Sequence, residues 1–257
     1  MALVRPEEGQ KQPTHPGAPA VRLFIPCYVD QLAPDVARAL VRLLEALKIS
    51  WQLPAGQTCC GQFAYNAGEW PGTRRLARHF ARVFAGPGLI LCPGPSCVRM
   101  IRRHYLHLLE APADRELLAQ LTVQVVDLAA YLDSLQPLPL SLQWPGRVFL
   151  HQSCAARDLG LLPSLHRLLA QIRGLEVATL PAAYSCCGFG GLFAVKQPEL
   201  SQIIGWRYLQ AILDLDVQVL VSPEVSCLLH LEGIARAHHL PLQMLHLTQF
   251  LAAAACL

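Results

Sequence analysis

Short apolar runs alternate with amphipathic stretches along most of this chain. Residues 21–26, Val-Arg-Leu-Phe-Ile-Pro, read as a buried strand. Over 33–48, Val36, Leu40, Leu43, Leu44 and Leu47 share one side of a helix, with Asp35, Arg38, Arg42 and Glu45 elsewhere. Strands are predicted at 49–53 and 89–91, with a basic helix over 72–85 between them. A helix at about 98–109 precedes a strand at 121–126. The second half repeats the order: strand 148–150, helix 160–172, strand 175–180, helix 198–213, strand 217–221 and a short strand at 241–245. Strands alternating with helices imply βαβ units and a mostly parallel sheet in each half. The expected fold is therefore α/β, with two tandem homologous domains.

A cysteine pattern written twice strengthens that division. Cys27, Cys59–Cys60 and Cys97 recur as Cys154, Cys186–Cys187 and Cys227. In both copies 31 residues separate the lone cysteine from the pair, and a glycine (Gly61, Gly188) follows the pair. Three of the four cysteines shift by 127 residues and the last by 130. The expected organisation is a disordered leader at 1–20, a first cysteine-rich domain at 21–135, a proline-rich linker at 136–146 and a second domain at 147–257. Pro137 and Pro139 in the linker break both helix and strand. Each cysteine group falls where a strand exits into a loop, and sites in open α/β sheets lie beyond the carboxyl ends of the strands.

Composition narrows the chemistry. Of 257 residues, 53% are hydrophobic and 15% charged, which predicts well-filled cores and a large surface for partners. A net charge of +3 without a long basic run argues against nucleic acid. No stretch reaches the roughly 18 apolar residues of a membrane span. The nearest, 217–231, is interrupted by Ser222, Pro223, Glu224 and His230, which leaves only peripheral association open. The N-terminus lacks the apolar region of a secretory signal, so the expected compartment is the cytoplasm. Thiols there are reduced, and ten cysteines point to metal or redox chemistry over disulfides.

Four thiolates per unit satisfy the outer coordination of a four-iron cluster. Adjacent cysteines in a turn reach two irons of one cluster more readily than one tetrahedral ion, and Gly61 and Gly188 allow the tight bend. Two alternatives stand beside this: buried cysteines acting as small hydrophobes, and zinc. Zinc sites usually use C-x2–4-C pairs, which neither copy contains.

The segments Cys59-Cys60-Gly61-Gln62-Phe63-Ala64-Tyr65-Asn66-Ala67-Gly68 and Ser185-Cys186-Cys187-Gly188-Phe189-Gly190-Gly191-Leu192-Phe193-Ala194-Val195-Lys196 resemble the duplicated cysteine-rich CCG domain. So do Pro93-Gly94-Pro95-Ser96-Cys97, Ser222-Pro223-Glu224-Val225-Ser226-Cys227 and His151-Gln152-Ser153-Cys154. That family includes the cysteine-rich component of heterodisulfide reductase, the iron–sulfur component of glycolate oxidase and the lactate utilization protein A group, which this chain looks most like. The resemblance runs from about residue 21 to 252. It implies an iron–sulfur electron-transfer component of an L-lactate or other 2-hydroxy-acid oxidation complex. Cys27, Cys59, Cys60, Cys97, Cys154, Cys186, Cys187 and Cys227 would then be the iron ligands, and other iron–sulfur subunits the partners. A thiol–disulfide redox enzyme like heterodisulfide reductase and a zinc-stabilised assembly protein remain alternatives.

The fuller family motif ends in C-x-x-C, and here Gly94 and Glu224 replace the first cysteine of that ending. A conventional four-iron cluster is more consistent with four thiols per motif than the five-cysteine cluster of heterodisulfide reductase. Three residues are candidates for supporting positions. Glu224 is an oxygen ligand, a proton relay or a capping acid; Cys92 stands in for the missing thiol or is a buried strand residue; His151 contacts a cluster sulfur or belongs to the core. Cys256, His238, His239 and His246 are expected outside the sites. Arg74, Arg75, Arg78, Arg82, Arg102 and Arg103 form either a solvated face or a docking surface for an acidic partner.

Overall fold

The computed structural model describes residues 20–109, 111–181 and 186–257. The expected leader falls outside these except for Ala20, as does Ser185 of the second cysteine motif.

In the first unit β1 (Val21–Leu23) is followed by α1 (Cys27–Leu32), α2 (Pro34–Ala46), β2 (Trp51–Gln52), α3 (Gln62–Asn66) and α4 (Trp70–Val83). Then come β3 (Ile90–Cys92) and α5 (Pro95–Arg99), which continues through a π-helical turn at Met100–His104 into α6 (Tyr105–Leu108). The unit closes with α7 (Pro112–Gln124), β4 (Val125–Asp127) and α8 (Leu128–Ser134). The second unit runs β5 (Gln143–Leu150), α9 (Cys154–Asp158), α10 (Leu162–Leu169), β6 (Arg173–Ala178), α11 (Leu192–Lys196) and α12 (Pro198–Leu213). It ends with β7 (Val219–Ser222), α13 (Val225–Ala237), β8 (Gln243–His246) and α14 (Leu247–Ala254).

Both sheets are parallel, with strand orders β2-β1-β3-β4 and β6-β5-β7-β8, so the duplication in sequence is a duplication of topology. In this order the chain reverses direction across the sheet between the first and third strands. The loops there part and leave a crevice at the carboxyl edge. Cys27 follows β1 and Cys97 follows β3; Cys154 follows β5 and Cys227 follows β7. Each pair of lone cysteines thus flanks a crevice.

Several elements differ from the sequence expectation, which also lacks α7, α8, α13 and α14. The strand predicted at 121–126 begins at Val125, because Leu118, Leu121 and Thr122 are buried at helical spacing and carry α7 through to Gln124. The strand at 148–150 extends back to Gln143. The cysteines 97 and 227, expected in loops, lie in the first turns of α5 and α13. Pro95 at the start of α5 is the local reason there, since its fixed φ suits a helical first turn.

One apolar core joins the units. Leu40, Leu43 and Leu44 of α2 and Leu128 and Leu132 of α8 share it with Leu165 and Leu168 of α10 and Phe250 and Leu251 of α14. α2 packs on α14, and α8 packs on α10. These are equivalent pairings under exchange of the units, so the interface has approximate two-fold character. The outer face of each sheet has its own core, around Phe80, Phe84 and Tyr105 in the first unit and Tyr208, Leu209 and Ile212 in the second. Each leucine so buried contributes about 1.5–3 kcal/mol.

Candidate metal centres

In the first unit the thiols converge. Cys27 opens α1, Cys97 is the third residue of α5, and Cys59–Cys60 come from the loop before α3. The Cys27 and Cys59 sulfurs are 3.6 Å apart. Thiol contacts link Cys59 to Cys60, Cys60 to Cys97, and Cys97 to Cys92. The result is a chain of five sulfurs, of which Cys60, Cys92 and Cys97 are buried. The Tyr105 hydroxyl donates to the Cys60 carbonyl at 2.9 Å and holds the loop. The Gly61 N–H donates to Cys59 Sγ at 3.3 Å, from a backbone with φ of 82° that favours glycine.

The titration behaviour follows from this crowding. Cys59 receives hydrogen bonds from the thiols of Cys27 and Cys60 and from Gly61, which pull it down to about 3. Cys27 is held up by donating to Cys59, and Cys60 by donating to Cys59 and Cys97. One thiolate among several retained protons is the state that a cation converts to a set of thiolates by displacing those protons.

The second unit repeats the arrangement with changes. Cys187 and Cys227 sulfurs stand 2.9 Å apart and both are buried. The Gly188 N–H donates to Cys186 Sγ at 3.4 Å. Cys154, at the start of α9, and Cys186 are exposed. A ring nitrogen of His151 and the sulfurs of Cys187 and Cys227 all lie within 4.8 Å of one another. His151 is buried, and burial pushes its imidazole down to about 3, so it is neutral.

The cysteine-bearing helices also face each other across the units: α1 packs on α13 and α5 packs on α9. The Tyr28 and Phe189 rings meet edge to face at 6.0 Å beside this contact. Glu224 is a cap, but for the other unit: its carboxylate accepts from the Ser96 N–H of α5 at 2.8 Å and from the Ser226 hydroxyl at 3.0 Å. Gly94, its counterpart at the start of α5, has no side chain with which to do this. Burial raises the Glu224 carboxyl.

Cys92 is the buried strand residue that the sequence allowed. It ends β3 in the core, and a Cβ at Gly94 would sit 3.9 Å from its sulfur, so the thiol borders the space of the missing cysteine. His246 caps α14 and bonds the Pro223 carbonyl at 2.9 Å; His238 stacks on Trp206; Cys256 is exposed. The arginine face is partly engaged within the chain, Arg78 with Asp114 and Arg74 with the Leu108 carbonyl. Sequence reasoning missed Tyr105 and Tyr208, the hydroxyls that touch each site; both lie on predicted helices, but nothing in their spacing marks them.

Residues 21–102 and 148–232 each match the family described as the cysteine-rich domain, CCG. The chain belongs to the cysteine-rich CCG domain family. As a tandem CCG protein it is similar to lactate utilization protein A 1 of Bacillus mycoides (strain KBAB4), with 32% identity over 234 residues, covering 90% of this chain and 96% of that protein. It is 34% identical over 238 residues to lactate utilization protein A of Exiguobacterium sp. (strain ATCC BAA-1283 / AT1b), covering 91% and 97%. The protein of that name from Halalkalibacterium halodurans is 33% identical over 235 residues, covering 90% and 96%. Among the described residues no helix is long and apolar enough to cross a membrane. The donor sets of both CCG domains, clustered thiols with backbone N–H groups aimed at sulfur, fit a metal ion or an iron–sulfur group.

Proposed function

We propose that this protein is an iron–sulfur electron-transfer component of a lactate or related 2-hydroxy-acid oxidation system in the cytoplasm, with other iron–sulfur subunits as partners. The observation that carries the reading is the pair of partly buried thiol groups at equivalent crevices of two duplicated sheets. The names of the relatives supply the substrate class. Cys27, Cys59, Cys60 and Cys97 of the domain at 21–135 would hold one four-iron, four-sulfide cluster. Cys154, Cys186, Cys187 and Cys227 of the domain at 147–257 would hold the other. Such a cluster stores and passes single electrons.

The remaining roles belong to the protein. Gly61 and Gly188 N–H groups donate to cysteine sulfur and favour its anionic form. Tyr105 fixes the first loop. The apolar walls around Cys60 and Cys187 exclude water from the buried side of each centre. Glu224 ties the two cysteine helices together and so sets the centres' relative position.

A single zinc ion per domain is the second reading, and one distance favours it. Two thiolates on a tetrahedral zinc stand about 3.8 Å apart, from bonds of about 2.3 Å; Cys27 and Cys59 sulfurs are at 3.6 Å. Anaerobic purification separates the two. The iron–sulfur reading predicts iron with equal acid-labile sulfide and a visible absorption that dithionite bleaches reversibly. Stoichiometric zinc without sulfide overturns it.

A further inference from the structure

The two CCG domains differ at one position beside their centres. After β1 the first domain places Phe24, packed edge-on against Phe80 and Phe84 at 5.4 and 5.6 Å. The residue 127 positions on, after β5, is His151. Its backbone N–H donates to the Val221 carbonyl at 2.8 Å, which pins it beside the strand leading to Cys227. Its Nδ1 lies 2.6 Å from the Tyr208 hydroxyl oxygen. Its Nε2 is buried with no hydrogen-bond partner among the described residues. Buried polar groups are nearly always paired, so this nitrogen calls for a partner such as an ion. A ring nitrogen of His151 and the sulfurs of Cys187 and Cys227 lie within 4.8 Å of one another. Cys154 and Cys186 are exposed, so the buried end of this centre has two sulfurs and needs a further donor. The first centre needs none, because Cys92 at the end of β3 adjoins Cys97 there; the corresponding residue at the end of β7 is Ser222.

We propose that His151 Nε2 is a ligand of the metal centre in the second domain, which makes that centre imidazole–thiolate while the first is thiolate only. The proposal rests on the metal-binding reading above and deepens it. Ligation through Nε2 requires Nδ1 to carry the proton and donate it to the Tyr208 oxygen 2.6 Å away, the kind of hydrogen-bonded partner that orients ligating histidines generally. Replacing an anionic thiolate by a neutral imidazole raises a reduction potential. An imidazole in place of one thiolate would make the second centre the more easily reduced of the two.

The test uses full-length protein carrying Cys60→Ser and Cys97→Ser, which leaves the second centre, against protein carrying Cys187→Ser and Cys227→Ser, which leaves the first. Both are purified anaerobically, their metal and sulfide are counted, and X-ray absorption is recorded at the edge of whichever metal is bound. A nitrogen scatterer is expected in the first protein and absent from the second. Adding His151→Phe, the residue of the first domain, should abolish it. A sulfur-only shell around metal bound in the second domain, with His151 intact, overturns the proposal; so does a second domain that stays empty while the first is loaded. Absence of metal from both overturns the proposed function as well. The decisive comparison is between two proteins that retain His151, so it survives any folding defect of the phenylalanine variant.

Discussion

Gly61 and Gly188 occupy equivalent positions after the two cysteine pairs, at φ of 82° and 87°, yet alanine should affect them very differently. Left-handed backbone costs a non-glycine residue about 1–2 kcal/mol, offset by about 0.4–1 kcal/mol through a stiffer unfolded chain. At Gly61 the added Cβ would meet Leu76 Cδ1 at 3.2 Å and Thr73 Cγ2 at 3.4 Å, both ends of side chains that can yield. Gly61→Ala should therefore cost about 0–1.6 kcal/mol. At Gly188 the Cβ would lie 2.5 Å from the Ser201 carbonyl oxygen and 3.0 Å from the Gly205 nitrogen, both backbone atoms of α12. The loop must move away, at about 1–3 kcal/mol of overpacking. The move also strains the Ser201 hydroxyl bond to the Gly188 carbonyl, 2.8 Å long, worth about 1 kcal/mol. Gly188→Ala should cost about 2–6 kcal/mol in total. Urea unfolding of the metal-free, reduced proteins measures both. Equal losses, or a larger loss for Gly61→Ala, would refute the reasoning that the backbone of α12 sets the second loop.

Other consequences follow from buried polar groups. The Arg22 guanidinium donates to the Phe84 and Gly88 carbonyls and the Gln124 side-chain oxygen, each at 2.6 Å. Arg22→Met should cost about 2–4 kcal/mol by leaving those acceptors unpaired, read as a fall of roughly 4–16 °C in melting temperature. Glu224→Gln keeps an acceptor for Ser96 and should change stability by under about 1 kcal/mol, whereas Glu224→Ala should cost about 1–3 kcal/mol; similar melting points for the two would contradict the inter-unit cap. Burial raises the Asp127 carboxyl to about 7 from its ordinary 3.8. Between those values the folded state keeps a proton that the unfolded chain has lost, so this group's contribution falls as pH rises through the window. The stability of Asp127→Asn relative to wild type should therefore climb from pH 4 to pH 7, by at most about 1.4 kcal/mol per pH unit; a flat difference in metal-free protein contradicts it.

The order of strands was legible because each is a short apolar run between turn residues. A helix is expected from the sequence at about 198–213, and α12 spans Pro198–Leu213. The cysteine grouping was legible because two copies share one register. The helical start at Cys97 and Cys227 was obscured by the prolines and glycines before them, which suit a loop as well as a helix start. In α7 the β-branched residues Thr122 and Val123 suggested a strand, and burial of Leu118 and Leu121 decided otherwise. Pairings across long sequence separations left no local trace. Glu224 meets Ser96 from 128 residues away, and His151 meets Tyr208 from 57 away. Arg22 sits in an apolar run, and its partners come from three distant segments.

The central claim is that each domain gathers its own thiols around its own metal centre. Iron and acid-labile sulfide per chain, counted after anaerobic purification of wild type, Cys60→Ser and Cys187→Ser, test it directly. Each substitution should remove about half of the bound metal, since one buried thiol is lost from one of two separate centres. Unchanged metal content in both variants would contradict the account.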